Sequence, residues 1–329
     1  MTLSCQMVYQ TTPMNNFTPF YKDAITKVSD LETWPGHFLT KKTETELIFD
    51  SNIFKKNYIG LEIGCGNSFQ SALLSSSVEK MISTDLYNHN CSTHTVGINK
   101  AERLLNLLGV SNVKLVSCSA DSLPFGSDYF DFIFSSSALE HVADRKATLK
   151  EMKRVLKPDG NMILIVPTHM PSLYAFPHLF LYVVARVLKL LFKAKTAEID
   201  NRGNNLVMDG ERSDIYNDKK LSLWKRFFKK HPSFPLPEPH GEYKNIFDEL
   251  KSQFPGVWLS MVKSEGFKIK KTMPLCLFPW LLIEPFSTRL ASRLYSISKW
   301  LNIAVSNIRT LQYMGYLIVI FAQKESIRN

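Results

Sequence analysis

Between Asn57 and Pro167 the chain alternates five short β-rich runs with helical patterns, and no other feature restricts its fold as much. The runs are Tyr58–Ile63, Lys80–Thr84, Val113–Val116, Phe130–Phe134 and Asn161–Val166. The helical stretches between them are Phe69–Ser76, Asn99–Leu108 and Asp144–Leu156. Parallel strands need a long crossover, and a helix is the usual one, so this order predicts a parallel sheet covered by helices. The last helix carries Leu149, Met152, Val155 and Leu156 on one face and stops at Lys157-Pro158-Asp159-Gly160. The predicted class is α/β, a doubly wound, mostly parallel seven-stranded sheet.

Outside this stretch the pattern changes. Residues 1–50 are expected to be irregular or short helices packing on a core at 51–167. Residues 168–250 form an insertion after the fifth strand, expected to be helical, with prolines at Pro232, Pro235, Pro237 and Pro239. Residues 251–329 complete the sheet with a helical cap. A helix is predicted over Phe247–Ser264, a strand over Phe267–Met273, and a buried final strand over Gly315–Gln323, while Leu275–Gln312 is apolar, basic and largely helical in pattern.

The first strand breaks into Gly64-Cys65-Gly66-Asn67-Ser68. Glycines there let a ligand reach the backbone, and such a turn at the C-terminal end of a parallel strand is where open α/β sheets bind nucleotides. A dinucleotide fingerprint needs a small residue at the third glycine position, which counted from Gly64 is Phe69, so that reading fails. What is left is Glu62-x-Gly64-x-Gly66. Asp85 follows nineteen residues after Gly66, where a carboxylate can accept from ribose hydroxyls.

Four further segments follow in order. Ser119-Ala120-Asp121-Ser122-Leu123-Pro124-Phe125 comes after the third strand. Tyr129 to Val142, with Ser135 and Glu140-His141, covers the fourth strand and its exit. Leu156 to Asn161 precedes the fifth. Together with the glycine turn and Asp85 these segments, spanning roughly 57–167, resemble the class I S-adenosylmethionine-dependent methyltransferases. The resemblance implies the Rossmann-like methyltransferase fold and S-adenosyl-L-methionine as cofactor. It implies a binding set of Glu62, Gly64, Cys65, Gly66, Asp85, Leu86, Ser119, Ala120, Asp121 and Ser135. Relatives often carry an acid at the Ser119 position, leaving Asp121 or backbone atoms for the adenine contact. The third glycine of many relatives is Ser68 here.

Methyl transfer from a sulfonium needs mainly an aligned nucleophile, and a general base helps when the acceptor is a hydroxyl. His141 and His169 are the candidates for that base, with His240 and Glu242 as further options; each histidine also has a structural reading. No Cys/His cluster with metal spacing occurs among the five scattered cysteines, which predicts a reduced cytoplasmic protein with no metal site. The first basic residue is Lys22, unlike the start of a signal peptide.

The net charge of +10 leaves nucleic acid, an anionic membrane or a phosphorylated substrate open. The Pro-Pro-Tyr type motif of amino-group nucleic-acid methylation is absent after the fourth strand, where Ser135-Ser136-Ser137 stand, which disfavours nucleic acid. Between Pro171 and His231 twelve Lys/Arg face six Asp/Glu. Leu173–Phe192 is apolar but interrupted by Pro177, Arg186 and Lys189, poor for a spanning helix. Lys219–Lys230 sets Leu221, Trp224, Phe227 and Phe228 against six Lys/Arg, as an interfacial helix does, or as a helix on the protein's own core does. Residues 173–230 thus have two readings, contact with an anionic membrane or packing on the protein's own core.

The tail from His240 through Gln312 also resembles a group of bacterial methyltransferases associated with surface glycan assembly. That resemblance implies an oxygen of a lipid-linked glycan, glycolipid or other amphiphilic small molecule as acceptor. A soluble or isoprenoid metabolite, and a silent cofactor-binding scaffold, are the alternatives.

Overall fold

The computed structural model describes residues 35–49, 53–86, 89–91, 94–96, 98–173, 243–275 and 313–325, with the single positions 297, 300, 304 and 308. Two compact units result. The first joins Met1–Val166 to Leu259–Asn329, and the second is Pro167–Trp258.

In the first unit the strands are β1 (Ile59–Ile63), β2 (Lys80–Asp85), β5 (Val113–Ser117), β6 (Phe130–Ser136), β7 (Leu156–Pro167, which runs one residue into the second unit), β8 (Phe267–Leu275) and β9 (Leu317–Lys324). They form one sheet in the order β5-β2-β1-β6-β7-β9-β8. β1 pairs in parallel with β2 and β6, β2 with β5, and β6 with β7, whereas β8 and β9 are antiparallel. This is the doubly wound, mostly parallel seven-stranded α/β sheet expected from the sequence. The chain builds outward from β1 through β2 to β5, then crosses back to β6, so the direction of growth reverses between β1 and β6. Ligands in open α/β sheets bind at such a reversal, outside the carboxyl ends of the strands.

Burial on both faces explains the unbroken apolar runs. Phe130, Phe132 and Phe134 of β6 and Met162–Val166 of β7 are all buried. One cluster joins Phe132, Phe134, Ile163, Ile165, Leu275 and Val319 to Ile48 and Leu74. Another packs Phe69, Ala72 and Leu73 of α2 (Phe69–Leu74) on Leu104, Leu105 and Leu108 of α3 (Ile98–Leu108). α4 (Arg145–Val155) starts at Asp144, whose carboxylate accepts from the Ala147 N–H at 2.9 Å, and buries Leu149, Met152 and Val155.

Four elements differ from expectation. The N-terminal segment, expected to be irregular or short helices, contains α1 (Pro35–Phe49), a longer helix of 15 residues. Its four consecutive residues Thr43, Glu44, Thr45 and Glu46 are all buried, which no single apolar face could announce. The helix predicted over Phe247–Ser264 is two, α5 (Ile246–Ser252) and α6 (Pro255–Ser264). Asn245 caps α5 through the N–H groups of Phe247 and Asp248, and Pro255, which cannot donate within a helix, suits the first turn of α6. β7 begins at Leu156, with Lys157–Gly160 looped out as a bulge, since Phe130 pairs with Leu156 and Phe132 with Asn161. A small antiparallel pair, β3 (His89–Cys91) and β4 (His94–Val96), follows β2.

In the second unit Trp258 is fully buried, and its indole N–H donates to the Pro167 carbonyl at 3.1 Å. Most of the expected insertion, including Lys219–Lys230, His240 and Glu242, lies outside the described residues, as does most of Leu275–Gln312. Among the described residues no helix is long and apolar enough to cross a membrane.

Candidate functional site

The glycine turn is held to β2 by its own backbone. The N–H groups of Gly64 and Cys65 both donate to the Thr84 carbonyl, at 2.9 and 3.0 Å. The Gly66 N–H donates to Asp85 Oδ2 at 2.7 Å, and Asp85 Oδ1 accepts from the Leu86 N–H at 2.8 Å. Asp85, expected from the sequence to accept from ribose hydroxyls, therefore clamps the turn, and each oxygen keeps a further lone pair. The two glycines differ in kind. Gly64 has φ +71°, and a Cβ there would lie 2.2 Å from Ala138 Cβ, so the exit from β6 packs directly on the turn. Gly66 has φ +54°, and a Cβ there would meet nothing within 4 Å, so its outer side is open.

Beneath the turn lies a buried chain of hydroxyls. Glu62 on β1 is in register with Ser83 on β2. Ser68 Oγ donates to Ser83 Oγ at 2.9 Å, and Ser83 Oγ donates to Ser71 Oγ at 2.6 Å. Ser71 in turn hydrogen-bonds Glu62 through its side chain and its N–H. Glu62 Oε2 is buried without a partner, and burial outweighs Ser71 and Lys41 to push the carboxyl up to about 7. Ser71 thus ties Glu62 to α2, while Oε2 is left over.

A second polar cluster comes from α1. Lys41 Nζ donates to Glu44 Oε2 at 3.0 Å and to Ser136 Oγ at 2.7 Å. The same Glu44 oxygen accepts from Gln70 Nε2 at 2.8 Å and from Ser136 Oγ at 2.6 Å. α1 is thereby pinned to the end of β6 and to α2. Glu140, in the 3₁₀ turn Leu139–His141, is also buried, with Oε2 unpartnered, and burial pushes its carboxyl up to about 7 despite Lys41 and Arg145. Sequence reasoning missed Lys41, Glu44 and Glu140. For Glu140 the signal was its place beside His141; Lys41 and Glu44 lay in a segment with no periodicity.

The Leu-Pro-Phe loop is held from α4. Glu151 accepts from the Leu123 N–H at 2.9 Å, and Arg154 donates to the carbonyls of Phe125 and Leu123 at 2.7 and 2.9 Å while paired to Glu151 at 2.6 Å. Ser119 Oγ donates to Asp121 Oδ1 at 2.6 Å, so these two expected site residues are brought together; both are exposed, and Ala120 between them is half-buried. Leu86 is exposed at the end of β2. Ser135 Oγ donates to the Ile63 carbonyl at 3.0 Å, which commits its proton inside the sheet. Cys65 is buried and its thiol pushed well up by burial, consistent with packing rather than nucleophilic chemistry.

The two histidines fall in different units. His141 is half-buried in the 3₁₀ turn after β6, its N–H bonded to the Ala138 carbonyl. In the second unit the His169 ring stacks on Phe254, with centroids 4.2 Å apart and planes 4° from parallel. Its Nδ1 is buried without a partner, and burial holds its pKa below the usual histidine range.

The turn suits the donor that the sequence implies. Asp85 places a carboxylate directly on the turn, which suits hydroxyl or ammonium donors and opposes a pyrophosphate. The open side of Gly66 and the free oxygen of Glu62 leave room and an acceptor. Gly66, Asp85 and Glu62 would hold S-adenosylmethionine.

Residues 61–164 match the family described as "Methyltransferase domain". The demethylmenaquinone methyltransferase of Geobacillus kaustophilus is 29% identical over 139 residues, 42% of this chain and 57% of its own. The ubiquinone/menaquinone biosynthesis C-methyltransferase UbiE of Francisella tularensis subsp. novicida is 32% identical over 140 residues, 42% of this chain and 52% of its own. A solved structure, the YcgJ protein of Bacillus subtilis, gives a TM-score of 0.45 at 16% identity, covering 86% of this chain and 98% of its own. The chain spans little more than half the length of the curated relatives it matches.

Proposed function

We propose, from a domain at residues 61–164 that belongs to the class I S-adenosylmethionine-dependent methyltransferases, that the whole chain is such an enzyme acting on a small amphiphilic acceptor. The observation that carries this reading is the glycine turn, tied to Thr84 and Asp85 at the point where the strand order reverses.

Bound there, S-adenosylmethionine supplies an electrophilic methyl group on a sulfonium. The chain's own residues do the rest. Gly66, with its outer side open, lets the ligand approach the backbone, and Asp85 orders the turn while keeping lone pairs for hydroxyl donors. The free oxygen of Glu62 can accept from an ammonium group. Leu86, Ser119, Ala120 and Asp121 are assigned to the nucleoside side, and Cys65 and Ser135 to its packing. Such an enzyme mainly holds two reactants close and aligned.

For the proton of a hydroxyl acceptor, His169 is the better supported base. Burial holds its pKa below the usual histidine range, and its buried Nδ1 lacks a partner. His141 remains the second candidate, at the exit of β6.

The acceptor we favour is an oxygen of a glycan or glycolipid, supported by the apolar and basic composition of residues 168–250. The names of the two quinone-pathway relatives favour a second reading, a carbon of an isoprenoid metabolite. Under either, 51–167 binds the donor, 168–250 meets the acceptor or a membrane, and the site of action is cytoplasmic, peripheral at the inner membrane face.

Transfer of a labelled methyl group from S-adenosylmethionine into a lipid and glycan extract tests this. A labelled glycolipid supports the first reading and a labelled quinone-like lipid the second. No labelled product, with S-adenosylhomocysteine still bound, would leave a silent scaffold.

A further inference from the structure

Ser68 takes the place of the third glycine, yet it keeps a glycine's backbone, φ 61° and ψ 23°, and is fully buried. A left-handed serine costs on the order of 1–3 kcal/mol and persists only where its surroundings fix it. It stands at the N-cap of α2, where a serine hydroxyl normally accepts from an N–H of the first turn. Here no such cap bond forms. The hydroxyl points inward to Ser83, and Ser83 donates onward to Ser71. All three serines are fully buried. The chain runs in one direction, donor to acceptor, and ends on Glu62, which can only accept when ionised.

Resting on the donor-site reading above, we propose that Ser83 and Ser71 are positioning residues for the donor turn, which hold Ser68 in the left-handed conformation through this relay and so let a serine serve where a glycine would serve unaided. Neither residue need touch the ligand. Ser83 lies on β2 and Ser71 on α2, and both act through Ser68, whose N–H bonds the Cys65 carbonyl at 2.7 Å and whose carbonyl accepts from Ala72. Without Ser83 Oγ, Ser68 is free to relax to an ordinary capping serine with negative φ, and the turn tilts with it.

The proposal predicts a dependence that packing alone does not give. Ser83→Ala should weaken S-adenosylhomocysteine binding about fivefold to tenfold, the effect of one lost buried hydrogen bond. Ser68→Gly should bind as the natural chain does, because glycine adopts this backbone freely. In the Ser68→Gly background Ser83→Ala should then cost nothing. The measurements are calorimetry on the four proteins and the sign of φ at residue 68 from NMR couplings, with melting curves to check folding. A loss from Ser83→Ala that is equal in both backgrounds, or a Ser68 φ that stays positive in Ser83→Ala, overturns the relay. If the natural chain fails to bind at all, the donor-site reading falls, and the φ measurement still decides the relay.

Discussion

Glu140 offers a measurable test of how the site is built. Its carboxyl is buried with one oxygen unpartnered, and burial pushes it from 4.5 up to about 7, outweighing Lys41 and Arg145. The folded chain therefore holds this proton more tightly than the unfolded chain. Its contribution to stability is fully present below about pH 4.5 and is lost as the pH rises through about 7. Moving one carboxyl that far corresponds to about 3 kcal/mol, of which about 2 kcal/mol is lost between about pH 5.5 and about pH 7.5. Glu140→Gln replaces the protonated acid by a neutral near-isostere. Urea unfolding across that range should show the variant losing about 2 kcal/mol less than the natural chain. Below about pH 4.5 the two should be close in stability, with the variant gaining as the pH rises. A pH dependence parallel to that of the natural chain would refute the reasoning, since it would mean that Glu140 is ionised and well solvated in the folded state.

Asp85→Ala removes the acceptor for two backbone N–H groups, and calorimetry with S-adenosylhomocysteine should show roughly a 10–100-fold loss, the effect of a charged hydrogen-bond partner. Gly64→Ala drives a Cβ into Ala138 and should lower stability by about 1–3 kcal/mol in denaturant unfolding. Gly66→Ala meets open space, so it should cost about 1 kcal/mol of backbone strain but weaken ligand binding far more than stability. Reversing Lys225 and Arg226 to Glu should abolish flotation with anionic vesicles, and unchanged flotation would remove the membrane role assigned to residues 173–230.

The parallel sheet was legible because its strands are buried on both faces and so stand out as apolar runs, as Met162–Val166 does. The donor turn was legible because close backbone approach demands glycine, and at Gly64 and Gly66 no other residue fits as well. Residues whose role depends on tertiary partners left no local mark. Lys41 and Glu44 are polar groups in a helix without an apolar face, and only the folded chain brings Ser136 and Gln70 to them. Ser83 carries no mark in the sequence beyond its place in the run Lys80–Thr84. Its importance arises from a register, Glu62 beside Ser83, that a single strand cannot display. The break between α5 and α6 is a different case: Pro255 was in plain view, but the apolar pattern ran across it.

The strand order also sets a timetable. Among the described residues β8 joins the sheet only through β9, yet β9 begins roughly forty residues later in the chain. On a ribosome adding about 5–20 residues per second, β8 would be made and partnerless for about 2–10 s, with the apolar edge of β7 open beside it. That interval is a window for wrong pairing between nascent chains. Lys268, Lys270 and Lys271 on the exposed side of β8 place charge on the waiting strand, which makes them gatekeepers of synthesis as much as ornaments of the finished surface.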